Sequence, residues 1–142
     1  MRALLDVNVL VALFDADHSS HAAAMRWFDD HGAEGWASCP ITQNGCMRVM
    51  SQPGYPNCMP VAAIADRLRD ATSHPRHEFW PDDVSLLDSS VVDPTRAHGP
   101  RQLTDVYLLA LALGHGGRLV TFDRGIPLAA VSGAQKRHLV VI

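Results

Sequence analysis

Two short hydrophobic runs, "RALLD" at residues 2–6 and "RLVTFD" at residues 118–123, each stop on an aspartate. Apolar runs this short and this continuous read as strands buried on both faces. Such strands belong to a parallel sheet with helices laid over both sides. The rest of the chain alternates accordingly. "VNVLVALFD" predicts a helix from near Asn8, with Leu10, Leu13 and Phe14 at helical spacing. "SSHAAAMRWFDDHG" predicts a second helix, capped by Ser19 or Ser20 and stopped at Gly32. "EGWASC" is a strand, and "PITQNGCMRVMS" a helix opened by Pro40. "PVAAIADRLRDATS" predicts an amphipathic helix with Val61, Ile64, Ala65 and Leu68 inward. "HEFW" is a brief strand and "VSLLDSSVVD" a short helix. "LTDVYLLALALGHGG" predicts a helix capped by Thr104 and apolar on every face, hence deep in the core. "HLVVI" is the last strand, while "QPGYPNCMP" and "PTRAHGPRQ" are loops. The expected fold is α/β: a three-layer α/β/α sandwich on a mostly parallel sheet of four to five strands. Residues 1–142 are expected to form one domain.

Ligands of an open parallel sheet bind outside the carboxyl ends of its strands. Asp6 and Asp123 therefore emerge at one edge. Asp105, at the start of the buried helix just before the second strand, should emerge beside them. Three clustered carboxylates repel one another, so either they take up protons or a cation neutralises them. Oxygen-only ligands select a hard ion, Mg²⁺ or Mn²⁺. The formal net charge of −3 looks unfavourable for a nucleic-acid binder. Setting the three aspartates aside leaves twelve acids against twelve bases, and eleven of those bases are arginine, which suits phosphate.

The segments "LLDVNVLVAL", "TDVYLLALAL" and "LVTFDRGI" resemble the three signature segments of the PIN domain. The likeness is greatest to the VapC-type toxin ribonucleases of bacterial toxin–antitoxin pairs. "DADHSSHAAAMRWF" resembles that group's second helix, and the resemblance runs over essentially the whole chain. It implies a Mg²⁺-dependent endoribonuclease that hydrolyses RNA phosphodiester bonds by metal-activated water, with Mn²⁺ able to substitute. It implies Asp6, Asp105 and Asp123 as catalytic, metal-binding residues, with Asn8 orienting the first aspartate and Thr121 supporting the site. It also implies a cognate antitoxin protein as partner, and a homodimer.

The chain departs from the family in one respect. Members usually carry a glutamate in the helix after the second strand, whereas that position falls here at Gly45 or its neighbours, none of them acidic. Asn44 offers a neutral carbonyl oxygen as substitute. The missing acid motivates an alternative reading: a non-catalytic PIN-like module that binds RNA or a partner, its acidic pocket receiving a partner arginine. A third reading, a phosphoaspartyl enzyme or receiver domain, wants an aspartate where Asn8 stands or a lysine late in a strand. The only lysine, Lys136, falls in a predicted loop.

Arg96, Arg101 and Arg124 flank the aspartates and read either as RNA phosphate contacts or as ordinary surface arginines. Tyr55 reads as a base-stacking residue or, more simply, as a turn-packing aromatic. The pairs His18/His21 and His74/His77 lack the further ligands zinc needs. The first pair reads as first-turn helix residues, the second as loop residues. Cys39, Cys46 and Cys58 form no CxxC and read as reduced, buried thiols. With no apolar run long enough for a secretory leader or a membrane span, a cytoplasmic protein without membrane contact is expected.

Overall fold

The computed structural model describes residues 1–142. Five strands, β1 (Ala3–Leu5), β2 (Trp36–Ser38), β3 (His77–Phe79), β4 (Arg118–Thr121) and β5 (Leu139–Val141), form one sheet in the order β3-β2-β1-β4-β5. Every pairing is parallel. The helices are α1 (Val7–Phe14), α2 (His21–His31), α3 (Pro40–Met50), α4 (Val61–Thr72) and α5 (Leu103–Gly114). The sequence-based order is right except in one segment.

Successive strand residues face opposite sides of a sheet, and the strands use this to build two cores. Leu4, Ala37 and Leu119 point to the side covered by α5, where they meet Val106 and Leu108 to Ala112. Ala3, Leu5, Trp36 and Val120 point to the other side, against Val9 to Val11 of α1, Trp27 of α2, Cys46 and Met50 of α3, and Ile64 and Leu68 of α4. The layers are therefore α/β/α, with β1 and β4 central. That position explains why "RALLD" and "RLVTFD" are apolar throughout. No helix is long and apolar enough to cross a membrane.

Residues 84–93 form turns, not the predicted helix. Their Ser and Asp side chains compete for the backbone: Ser85 Oγ accepts from Leu87 N, Asp88 Oδ1 accepts from Ser90 N, and Asp93 Oδ1 accepts from Thr95 N. Leu87 is left in solvent, while Val92 is buried and bridges Val131. Thr104 does not cap α5, which starts one residue earlier, at Leu103. Ser20 takes the N-cap position of α2 without a side-chain bond. In α4 only Ile64 and Leu68 are buried, whereas Val61 opens the helix beyond the packed stripe and is exposed.

Cys39 and Cys46 are buried as expected, but Cys58 is exposed. It sits in the loop between α3 and α4, which is tied down at Asp15. The Asp15 carboxylate accepts from Tyr55 Oη, from Asn57 Nδ2 at 2.7 Å and from Asp17 N at 3.1 Å. Tyr55 is a packing aromatic, its hydroxyl donating to Asp15.

Candidate active site

Asp6 ends β1 and is the N-cap of α1, its backbone extended (φ −64°, ψ 159°). One carboxylate oxygen accepts from Val7 N at 2.7 Å, satisfying an amide that the helix leaves unpaired. The other accepts from Thr121 Oγ at 2.6 Å across the sheet. Thr121 is fully buried at the end of β4, and its Oγ also accepts from Asn8 Nδ2 at 3.3 Å and from Asp123 N at 3.0 Å. Asn8 Oδ1 in turn accepts from Phe122 N at 3.4 Å. Asn8 thus acts on Asp6 through Thr121, not by a direct bond. Thr121 is the hub that joins the first and third aspartates.

Asp105 lies in the first turn of α5, where a carboxylate is favoured by the helix dipole. It faces Asp6 and Asp123. Burial first, and then the like charges of Asp6 and Asp123, push its pKa up to about 6. Burial also raises Asp6, against the hydrogen bonds from Thr121 and Val7 that favour its ionised form. None of the three forms an ion pair with a basic side chain. The topology has therefore brought together carboxylates 99 and 117 residues away from Asp6 in sequence, and left their charge uncompensated. Nowhere are three or more His, Cys, Asp or Glu side chains drawn into ready ligand geometry. Asp6 is turned onto Thr121 and Val7, and the three carboxylates adjoin without yet enclosing a common point. The donor set itself, three carboxylates with no nitrogen or sulfur, is of the kind a divalent hard cation takes.

The other predicted residues lie apart from this cluster or occupy other roles. Asn44 is exposed on α3 and makes no hydrogen bond. Gly45 is buried, and a Cβ there would overlap Val7 Cγ2. Position 45 is thus a point of close approach between α3 and α1, with no room for an acid. Arg96 is exposed and paired with Asp93 at 3.2 Å, whereas Arg101 and Arg124 are exposed without ion-pair partners. His18 Nδ1 accepts from Ser20 N, and His21 Nδ1 donates to the Ala12 carbonyl at 2.7 Å, so this pair shapes the start of α2. His74 lies in a turn, but His77 is in β3, its Nε2 bonded to the buried Ser38 Oγ at 2.8 Å.

Gln102 is a site neighbour that the sequence did not single out. Its Nε2 donates to the Gly125 carbonyl at 2.7 Å, and Gly125 N donates to Asp123 Oδ1 at 2.7 Å. A lone glutamine in a loop carries no periodicity or motif by which to be found. A cleft of about 940 Å³ between α2, α4 and the start of β2 lies at the opposite sheet edge and contains none of these residues. The aspartate cluster is instead an open edge, with Asp123 exposed.

Residues 3–132 match the PIN domain family. This chain belongs to the PIN-domain family. Within it, the chain is 56% identical over 142 residues, the full length of both proteins, to Ribonuclease VapC44 of Mycobacterium tuberculosis. It is 46% identical over 134 residues to Ribonuclease VapC39 of the same organism, covering 94% of this chain and 96% of that one. These likenesses place it among the VapC-type PIN domains. Among solved structures it is similar in fold to M. tuberculosis VapC20, described as a Sarcin-Ricin loop cleaving toxin, with a TM-score of 0.60 at 14% identity over 87% of this chain and 91% of that one. It is also similar to a chain of VapBC2 from Rickettsia felis, bound to a DNA fragment from the promoter, with a TM-score of 0.57 at 14% identity, covering 100% of this chain and 98% of that one. The five-stranded parallel sheet described above is the PIN arrangement.

Proposed function

We propose that this PIN domain is a Mg²⁺-dependent endoribonuclease acting as the toxin of a toxin–antitoxin pair. The observation that carries the reading is the meeting of Asp6, Asp105 and Asp123, unpaired with any base, at the carboxyl edge of the central strands. The full-length likeness to proteins named ribonucleases supports RNA as the substrate. The Rickettsia felis neighbour, a VapBC assembly, supports an antitoxin partner.

Asp6, Asp105 and Asp123 would hold the ion. When bound, Mg²⁺ supplies Lewis-acid polarisation of a phosphoryl oxygen and a more acidic water as nucleophile. Thr121 holds Asp6 and the Asp123 backbone in one frame, and Asn8 fixes Thr121. Asp105 would have to be ionised to hold the ion, so binding would weaken as pH falls below about 6. The open edge suits a polymer lying across it, with Arg101 and Arg124 free to meet phosphates.

Asp6→Asn is the clean test, because asparagine has the same shape and its Oδ1 keeps the N-cap bond from Val7 N, while its Nδ2 donates to Thr121 Oγ in place of the bond the carboxylate accepted. Cleavage of RNA by the wild-type protein should require Mg²⁺ and stop with EDTA. The Asp6→Asn variant should remain folded and lose cleavage by about a hundredfold or more. Equal cleavage by the variant, or wild-type cleavage that survives EDTA, would defeat the proposal.

A further inference from the structure

We infer that Gln102 is a positioning residue: its carboxamide struts the Asp123 turn against the start of α5 and so sets the geometry of the aspartate cluster. This inference rests on the metal-site reading above. Asp105 and Asp123 stand on separate elements, the first turn of α5 and the turn after β4. As carboxylates they repel each other, a force that drives the two elements apart whenever both are ionised. No basic side chain pairs with either aspartate to oppose it.

Gln102 supplies a neutral cross-link at that place. It immediately precedes α5, three residues before Asp105, and both ends of its half-buried side chain are used. Nε2 donates to the Gly125 carbonyl at 2.7 Å, and Oε1 accepts from His98 N at 2.9 Å. The Gly125 amide, one peptide plane from that carbonyl, donates to Asp123 Oδ1 at 2.7 Å and fixes the rotation of the carboxylate. The fit is close: a Cβ on Gly125 would stand 3.3 Å from Asp123 Oδ1 and 3.7 Å from Gln102 Nε2. Apart from this chain of bonds, Asp123 is held only through its own amide to Thr121. Loss of the strut leaves the backbone of β4 intact but frees the turn that aims the carboxylate. Groups that orient metal ligands in this way typically carry a ten- to hundredfold share of affinity or activity.

The test uses Gln102→Met, which keeps the bulk of the side chain without its polar ends, and Gln102→Ala. Both are compared with wild type and with Asp105→Asn. Three quantities are read: Mn²⁺ affinity by titration calorimetry, kcat and KM for Mg²⁺-supported RNA cleavage, and the Gly125 amide resonance. Both Gln102 variants should weaken Mn²⁺ binding about tenfold and lower kcat by a similar factor. RNA KM should stay near wild type, the Gly125 amide should shift, and thermal unfolding should change little. Wild-type Mn²⁺ affinity and kcat in both variants overturn the inference. So does a lowered melting temperature with unchanged Mn²⁺ affinity, which assigns Gln102 a purely structural role. Asp105→Asn separates the two claims. If it abolishes metal binding while the Gln102 variants behave as wild type, the strut alone fails. If Asp105→Asn itself binds Mn²⁺ and cleaves RNA normally, the metal-site reading fails and the strut goes with it.

Discussion

Asp105→Asn is expected to lose Mg²⁺-supported RNA cleavage by a hundredfold or more and, in the absence of metal, to be more stable than wild type at pH 7. Both effects have one cause. The folded protein holds the Asp105 pKa at about 6, above the ordinary 3.8, because burial and two neighbouring carboxylates penalise the charge. Between these values the folded state binds more protons than the unfolded state, so stability falls as pH rises through that window. At pH 7 the penalty is present in full, and it is relieved as pH drops below about 6. A two-unit shift corresponds to roughly 3 kcal/mol; since Asp105 is only half-buried, solvent screening reduces this to about 1–2 kcal/mol. Asparagine removes the charge and with it the penalty. Urea unfolding of the metal-free proteins at pH 7 and at pH 4.5 checks this. The variant should lead at pH 7, and its lead should shrink at the lower pH. If a cation binds as proposed, the same penalty becomes affinity, because the charges that destabilise the empty cluster would be the ones that hold the ion.

Gly45→Glu, which places an acid where the resemblance to PIN domains leads one to expect it, should damage the fold and not improve the site. A Cβ at position 45 would overlap Val7 Cγ2. Val7 cannot swing aside, because a β-branched side chain in a helix has one strongly preferred rotamer. It is also the first residue of α1, directly after Asp6, so a shift of Val7 moves the N-cap carboxylate. Overpacking of this kind costs about 1–3 kcal/mol, partly offset by the roughly 1 kcal/mol gained on replacing a helical glycine. The charged side chain adds desolvation on top. Gly45→Ala isolates the steric part and should be less stable than wild type. Adding Val7→Ala should recover most of the loss, a coupling that a double-mutant cycle measures directly. Independent, additive effects of the two substitutions would contradict the packing argument. The missing acid is therefore built into the contact between α1 and α3. In the proposed site, the ion would then be held by the three aspartates alone.

The residues that could be read ahead of the structure were those whose chemistry conflicts with their place in the pattern. Asp6 between two apolar runs is a carboxylate where a core residue is expected, and the strand-end rule carried it, with Asp123, to one edge, where Asp6 itself is buried. α5 announced itself by its apolar faces. What could not be read depended on contacts distant in sequence. The turns of 84–93 match a helix in apolar content, and only the Ser and Asp side chains that bond their own backbone decide against it. Thr104 looked like a cap until α5 began one residue before it. Asn8 bonds Thr121, 113 residues away, and not Asp6, two residues before it. Gly45 showed only that an acid was absent. That Val7 fills its place requires the crossing of α1 and α3, which no local spacing reveals.

The central claim is that Asp6, Asp105 and Asp123 form one cation site. Titration calorimetry with Mn²⁺ tests it most directly, comparing the wild-type protein with a variant carrying Asp6→Asn, Asp105→Asn and Asp123→Asn together. The account predicts saturable binding by the wild type at or below millimolar Mn²⁺ and none by the variant, whose thermal unfolding shows it folded. Equal heats from the two proteins, or no binding by the wild type, would contradict it.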